Sequence, residues 1–154
     1  MTPLETITRY YDGCSSGDVD LMVSTLDADV VHWFLAPNPG SAPVRGGEHL
    51  ARYWRKVAGM IEARWVVDHC LAAEAEAVIE WTMFWRPQGT EDRVATRGAE
   101  WFTFSPEGLI TEIRSYYRQH PATTELDGFP YAERGYSAPG AEEHRAVREG
   151  ATSA

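Results

Sequence analysis

Two ionisable residues stand where the surrounding sequence is apolar. His32 lies inside the run Val30 to Leu35, and Glu100 is followed by Trp101 and Phe102. Histidine is the side chain whose ordinary pKa falls near neutrality, so His32 is a candidate base, or else a histidine bonded to one neighbour in an apolar lining. A carboxyl turned inward between Phe-rich strands is costly unless it is neutralised or paired. Glu100 is therefore a proton-bearing group of a site, the partner of an arginine such as Arg97 or Arg86, or a residue of the outer face. His49, beside Glu48, is expected in solvent, and Asp68, beside His69, on the outer face of a strand. His69, His120 and His144 show no His-x-His or His-x-x-x-His spacing and no cysteine partner, so no metal site and no cofactor are expected. Cys14 and Cys70 fall in apolar-periodic segments and are read as buried thiols.

These groups must be held by regular elements. Thr2-Pro3-Leu4-Glu5 reads as a capping box with proline at the first helical position, and Leu4, Ile7, Tyr10, Tyr11 and Cys14 recur at helical spacing up to Gly13–Gly17. Asp18 caps a second short helix with Val19, Met22, Val23 and Leu26 on one stripe, and Val30 to Leu35 is the first strand. Three prolines and three glycines make Ala36 to Gly47 a loop that could cover a pocket mouth. Leu50, Tyr53, Trp54, Val57 and Ile61 then mark a third helix. From Arg64 the period falls to two, and strands are expected at Arg64–Ala72, Ala77–Arg86, Arg93–Phe104 and Leu109–Arg118. In the last of these, Glu112, Arg114, Tyr116 and Arg118 alternate with Ile113, Ser115 and Tyr117, giving one wet face and one inward face.

The chain has 154 residues, 44% of them hydrophobic, which suits one core. Residues 1–120 are read as the domain and 121–154 as a C-terminal extension. Its segment Leu126 to Tyr136, with Phe129-Pro130-Tyr131, is expected to dock, and the last dozen or so residues to be mobile. A net charge of −9 with only 14 Lys plus Arg argues against nucleic acid or anionic lipid as a partner. No apolar h-region or long apolar run suggests a membrane segment, and a cytoplasmic location is expected. Six Trp, seven Tyr and five Phe supply large apolar surfaces for a core or a pocket.

Three helices, a proline-rich loop and a four-stranded meander, in this order, resemble the nuclear transport factor 2-like superfamily, in particular its SnoaL-like and ketosteroid-isomerase-like branches. The resemblance spans roughly residues 4 to 118. It rests on Tyr10-Tyr11 with Ser16-Gly17-Asp18-Val19-Asp20, on Leu26-Asp27-Ala28-Asp29-Val30-Val31-His32, on Ile79-Glu80-Trp81-Thr82, and on Phe102-Thr103-Phe104 with Gly108-Leu109-Ile110. It implies an α+β fold, a cone-shaped barrel of curved, mostly antiparallel sheet whose helices enclose a pocket, and a homodimer formed through the outer sheet face.

The resemblance also implies the site. It places Tyr10, His32, Phe34, Trp81, Met83, Trp85, Glu100, Phe102, Ile113, Ser115 and Tyr117 around one cavity, with Tyr53 and Trp54 of the third helix as further substrate-binding residues. Tyr10 matches the hydroxyl, and Glu100 the acid, that hydrogen-bond an enolate in the isomerase branch, while the aspartate base of that branch is Phe34 here. The catalytic carboxylate of the epoxide-hydrolase branch is Ser115, and its middle-strand Arg and Asp are Trp81 and Met83. The expected activity is thus a cofactor-independent cyclisation or isomerisation of a small, hydrophobic, carbonyl-bearing metabolite, polyketide-like or aromatic. In it His32 moves the proton while Tyr10 and Glu100 steady the enolate. The alternatives are a non-catalytic binding or accessory protein of the same fold, and a hydrolase or dehydratase using a carboxylate such as Asp29 or Asp68.

Overall fold

Helix α1 (Pro3–Ser16) starts where the capping box predicts: Thr2 Oγ1 accepts from Glu5 N–H at 3.2 Å, and Glu5 Oε2 accepts from Thr2 N–H at 2.7 Å. It ends at Gly17, whose φ of 72° suits a left-handed cap. The computed structural model describes residues 1–140 and 145–152. Asp18 caps α2 (Val19–Val23) by accepting from Leu21 N–H at 3.0 Å. Helix α3 (Gly47–Ile61) buries Leu50 and Trp54 of its apolar stripe and packs Tyr53, Val57 and Ile61 against the same core.

Six strands take the order β2-β1-β6-β5-β4-β3: β1 (Leu26–Phe34), β2 (Val44–Arg45), β3 (Arg64–Ala72), β4 (Glu76–Trp85), β5 (Val94–Phe104) and β6 (Ile110–Tyr116). β3 to β6 form the expected antiparallel meander, and β1 joins it in parallel beside β6. The curved sheet does not close into a barrel, since β2 and β3 remain its edges. The two-residue β2 interrupts the proline-rich segment that was expected to be loop throughout, pairing Val44 with His32. On the inner face Ile79, Trp81, Phe102 and Ile113 form one core with Ile7, Tyr10 and Leu50 of the helices. Glu112, Arg114 and Tyr116 of β6 are partly or fully exposed, as the alternation predicts.

The extension is built into this architecture. Thr124 N–H donates to Ala95 O at 2.9 Å, extending the pairing of β5 where β6 has ended, and Tyr131 is buried with Arg97 stacked 4.4 Å from its ring centroid. The last residues, expected to be mobile, lie along the open edge of β3 over 145–152. Val67 N–H donates to Ala146 O at 2.7 Å, and Cys70 N–H to Ala151 O at 2.8 Å. An edge strand leaves a row of unpaired donors and acceptors, and this segment satisfies part of that row. His144 falls outside the described residues.

Candidate active site

The registers of three adjacent strands bring the inner-face polar groups together. Ser115 of β6 is directly opposite Glu100 of β5 and Phe34 of β1, with His32 two residues along β1 on the same face. Ser115 Oγ donates to Glu100 Oε1 at 2.8 Å and lies 2.5 Å from His32 Nε2. Because the serine proton points to the carboxylate, the histidine that fits carries its hydrogen on Nε2 and donates to Ser115. Tyr11 O–H, from α1, donates to Glu100 Oε2. Two hydroxyls therefore converge on one carboxyl, with an imidazole behind one of them.

Burial sets the electrostatics. Glu100 is 3% exposed, and desolvation pushes its pKa up to about 7 against the lowering effect of hydrogen bonds from Tyr11 and Ser115. The Trp81 indole N–H also faces this carboxyl, outside good hydrogen-bond geometry. His32 is 1% exposed, and desolvation drives its pKa down to about 3, which keeps it neutral near physiological pH. The expectation that His32 titrates near neutrality thus gives way to Glu100, because a buried imidazole without a counter-ion resists protonation.

A cavity of about 270 Å³ opens on this carboxyl. Of the residues expected around it, Glu100, Tyr53, Trp54, Trp81, Met83 and Tyr117 form its wall. Seven others lie behind the wall, Ile113 among them in the core. His32 is stacked on Phe34 with ring centroids 4.2 Å apart, and Ser115 is buried between His32 and Glu100. Phe102 packs edge-on to Tyr10 in the core, and Trp85 Nε1–H donates to Thr96 Oγ1 at 2.8 Å. Tyr10 is not part of the wall and its hydroxyl has no partner among the described residues, while its helix neighbour Tyr11 makes the bond to Glu100. Both tyrosines are buried, so burial alone does not distinguish them. The wall also includes Trp65 of β3 and Gln119, which the sequence pattern had not marked as site residues.

Other candidates lie elsewhere. Glu100 makes no ion pair with Arg97, which instead bonds Thr82 Oγ1, Ser137 O and Glu125 on the outer face. Asp68, also on that face, accepts from Thr82 and from both N–H and O–H of Ser137, and Asp29 is exposed. A cavity of about 320 Å³ lies between these groups and the extension, but its most buried polar groups are already engaged in holding Ser137. Cys14 and Cys70 are free and buried. Among the described residues no group of three or more His, Cys, Asp or Glu could hold a metal ion, and no helix is long and apolar enough to cross a membrane.

A carboxyl that titrates near neutrality at the wall of an aromatic cavity can both take and return a proton. Comparison with known proteins shows the family of the chain. The sequence signature of the SnoaL-like domain family matches residues 7–113. A protein of unknown function with a cystatin-like fold from Methylobium petroleophilum PM1 is 33% identical, over 88% of this chain and 91% of its own, with a TM-score of 0.67. The epoxide hydrolase/cyclase-like enzyme SalBIII, of pyran ring formation in the polyether salinomycin, is 18% identical over 75% of this chain and 89% of its own, with a TM-score of 0.62. RV0760c from Mycobacterium tuberculosis, in complex with estradiol-17beta-hemisuccinate, is 16% identical over 77% of this chain and 95% of its own, with a TM-score of 0.64. No curated protein matches the sequence.

Proposed function

Because the chain belongs to the SnoaL-like domain family, we propose that it is a cofactor-independent cyclase or isomerase of a small, hydrophobic, carbonyl-bearing metabolite, polyketide-like or aromatic. The observation that carries this reading is the buried Glu100 carboxyl at the cavity wall, with a pKa of about 7. The ionised carboxylate removes a proton from the carbon beside a substrate carbonyl, leaving an enolate. In an isomerisation the same proton returns at the conjugated carbon. In a cyclisation the enolate carbon attacks a second carbonyl of the same molecule, and the new alkoxide takes the proton back from Glu100. Tyr11 and Ser115 hold the carboxylate in place, and His32 fixes the Ser115 hydroxyl through Nε2. Proton transfer by a placed group of matched pKa contributes roughly 10²- to 10⁴-fold.

The test is exchange of the α-protons of small ketones fused to an aromatic ring, 2-tetralone among them, monitored by proton NMR in heavy water. The protein should accelerate exchange, and Glu100→Gln should abolish the acceleration. A second reading is favoured by one observation: both Glu100 oxygens already accept hydrogen bonds within the protein. On that reading the cavity binds a ligand without converting it. A wild-type protein that accelerates no exchange yet retains an unaltered small molecule through purification supports the binder and removes the enzyme.

The same proposal includes a homodimer through the outer sheet face, where Trp33, Trp101 and Tyr116 are 38%, 40% and 50% exposed. Sedimentation equilibrium tests this, and a monomer at micromolar concentration removes it. A cytoplasmic location fits two cysteines that stay unpaired.

A further inference from the structure

Trp81 has a buried donor and no acceptor in good hydrogen-bond geometry. The residue is 2% exposed and lines the cavity, yet its Nε1 has no hydrogen-bond partner among the described residues. A buried N–H without an acceptor is an uncompensated cost, so it calls for an explanation. Trp54 Nε1, on the same wall, is also unpartnered and lies against the Tyr10 hydroxyl, whereas Trp81 Nε1 lies against the Glu100 carboxyl, the polar group that opens on the cavity, outside good hydrogen-bond geometry. Trp81 faces the cavity beside Glu100.

The indole is also seated in a built slot. Trp81 pairs with Gly98 in the β4–β5 register, which makes Glu100 its diagonal neighbour on the inner face. A Cβ at position 98 would stand 2.8 Å from Trp81 Cζ2 and 2.9 Å from Tyr117 Cβ, so only glycine leaves room for the ring. Tyr117 closes the other side edge-on, with ring centroids 5.3 Å apart. The slot holds the indole at the cavity wall with its N–H beside the Glu100 carboxyl.

We propose that Trp81 is the specificity-determining residue of the cavity. Its indole N–H and the Glu100 carboxyl together grip one oxygen of a flat, conjugated or aromatic ring ligand. A ligand hydroxyl accepts from Trp81 and donates to the ionised Glu100. A ligand ketone accepts from Trp81 in either state of Glu100, and from Glu100 only in the protonated form, which is not the form that removes an α-proton. Either oxygen supplies the acceptor that Trp81 lacks, whereas a hydrocarbon of the same shape leaves the donor unmet. The inference rests on the proposed use of this cavity for oxygen-bearing ring compounds, and it adds what selects them.

Equilibrium binding of 2-naphthol and 2-methylnaphthalene, which differ by OH against CH3, tests it without any turnover. Wild-type protein should prefer 2-naphthol by about tenfold, the size of one buried neutral hydrogen bond. Trp81→Phe should cut the preference severalfold, to what the Glu100 carboxyl alone supplies. Replacing Trp81 by 3-benzothienylalanine keeps the shape and removes the N–H, so it covers the case in which the phenylalanine variant fails to fold. Gly98→Ala, which keeps the N–H but displaces the ring, should also lower the preference. A wild-type protein without preference, weak binding of both probes included, overturns the proposal. So does a preference that the benzothienyl substitution leaves at its wild-type size. If Glu100→Gln instead leaves α-proton exchange intact, the proton-transfer reading falls and the role of Trp81 stands.

Discussion

Ser115 Oγ stands 2.8 Å from Glu100 Oε1, donating across the β6–β5 pair to a carboxyl that burial would otherwise keep protonated to still higher pH. The bond keeps the ionised form within reach at neutral pH, and the pH dependence of any proton transfer should report it. α-Proton exchange catalysed by the protein should rise with pH through an apparent pKa near 7, as Glu100 ionises. Glu100→Gln should lower the rate by about 100-fold or more and remove that limb of the profile. A limb that persists in the variant assigns the titration to another group.

Tyr11 and Tyr10 are neighbours on α1 with ring centroids 5.2 Å apart, and only Tyr11 bonds Glu100. Removing a donor to the carboxylate raises its pKa, so Tyr11→Phe and Ser115→Ala should each move the limb upward and slow exchange at pH 7 by roughly tenfold. Tyr10→Phe should leave the limb where it is. The pH–rate profiles of the three variants decide the matter, and equal displacement by Tyr10→Phe would return the role to Tyr10.

That distinction shows where sequence reading ends. Strand parity turned Glu100, Ser115 and Trp81 inward correctly, because period-two alternation is local. Which of Tyr10 and Tyr11 bonds the Glu100 carboxyl depends on how α1 is rotated against the sheet, and no local pattern sets that angle. The inner face is also longer than the cavity. Phe102 and Ile113 share their face with Glu100 yet lie at 0% exposure in the core, because the helices descend onto that part of the sheet. The shift of His32 was not legible either, since its size depends on total burial by partners that β1 alone does not reveal.

The two buried groups should oppose each other in the pH dependence of stability. The Glu100 pKa is raised from 4.5 to about 7, so its contribution is full below 4.5 and is lost as pH rises through the folded value. His32 is lowered from 6.5 to about 3, so its contribution is full above 6.5 and is lost as pH falls toward 3. Urea midpoints of Glu100→Gln should therefore gain on the wild type between pH 4.5 and 7, by at most about 3 kcal/mol at 1.36 kcal/mol per pKa unit. A difference that is flat with pH contradicts the raised pKa.

Asn38 ties the proline-rich segment to the chain after β6. Its Nδ2–H donates to Tyr117 O at 2.7 Å, and its Oδ1 accepts from Gln119 N–H at 3.0 Å. Pro39 and Gly40 then stand at the cavity wall opposite Tyr117 and Gln119. Asn38→Asp keeps the acceptor but sets a carboxylate oxygen against the Tyr117 carbonyl. It should weaken 2-naphthol binding by about tenfold, the equivalent of one buried hydrogen bond, while urea unfolding shows a loss of only about 1–2 kcal/mol. Unchanged affinity would show that the segment does not shape the cavity.

The boundary at residue 120 can be tested by deleting residues 121–154. Asp68 is 1% exposed and accepts from Ser137 N–H at 3.0 Å and Ser137 O–H at 2.8 Å, so the extension supplies two donors to a buried carboxylate. Without it, Asp68 loses two donors, Arg97 loses its bonds to Ser137 O and Glu125, and β3 loses the segment along its open edge. A chain ending at residue 120 should consequently be destabilised by several kcal/mol and should aggregate through the bared β3 edge. Ser137→Ala removes one donor and should cost about 1–2 kcal/mol, without affecting ligand binding in a cavity on the other face of the sheet. Thermal melts of the truncated and point variants measure both losses. A truncated chain that melts with the full-length protein would make residues 1–120 a self-sufficient domain.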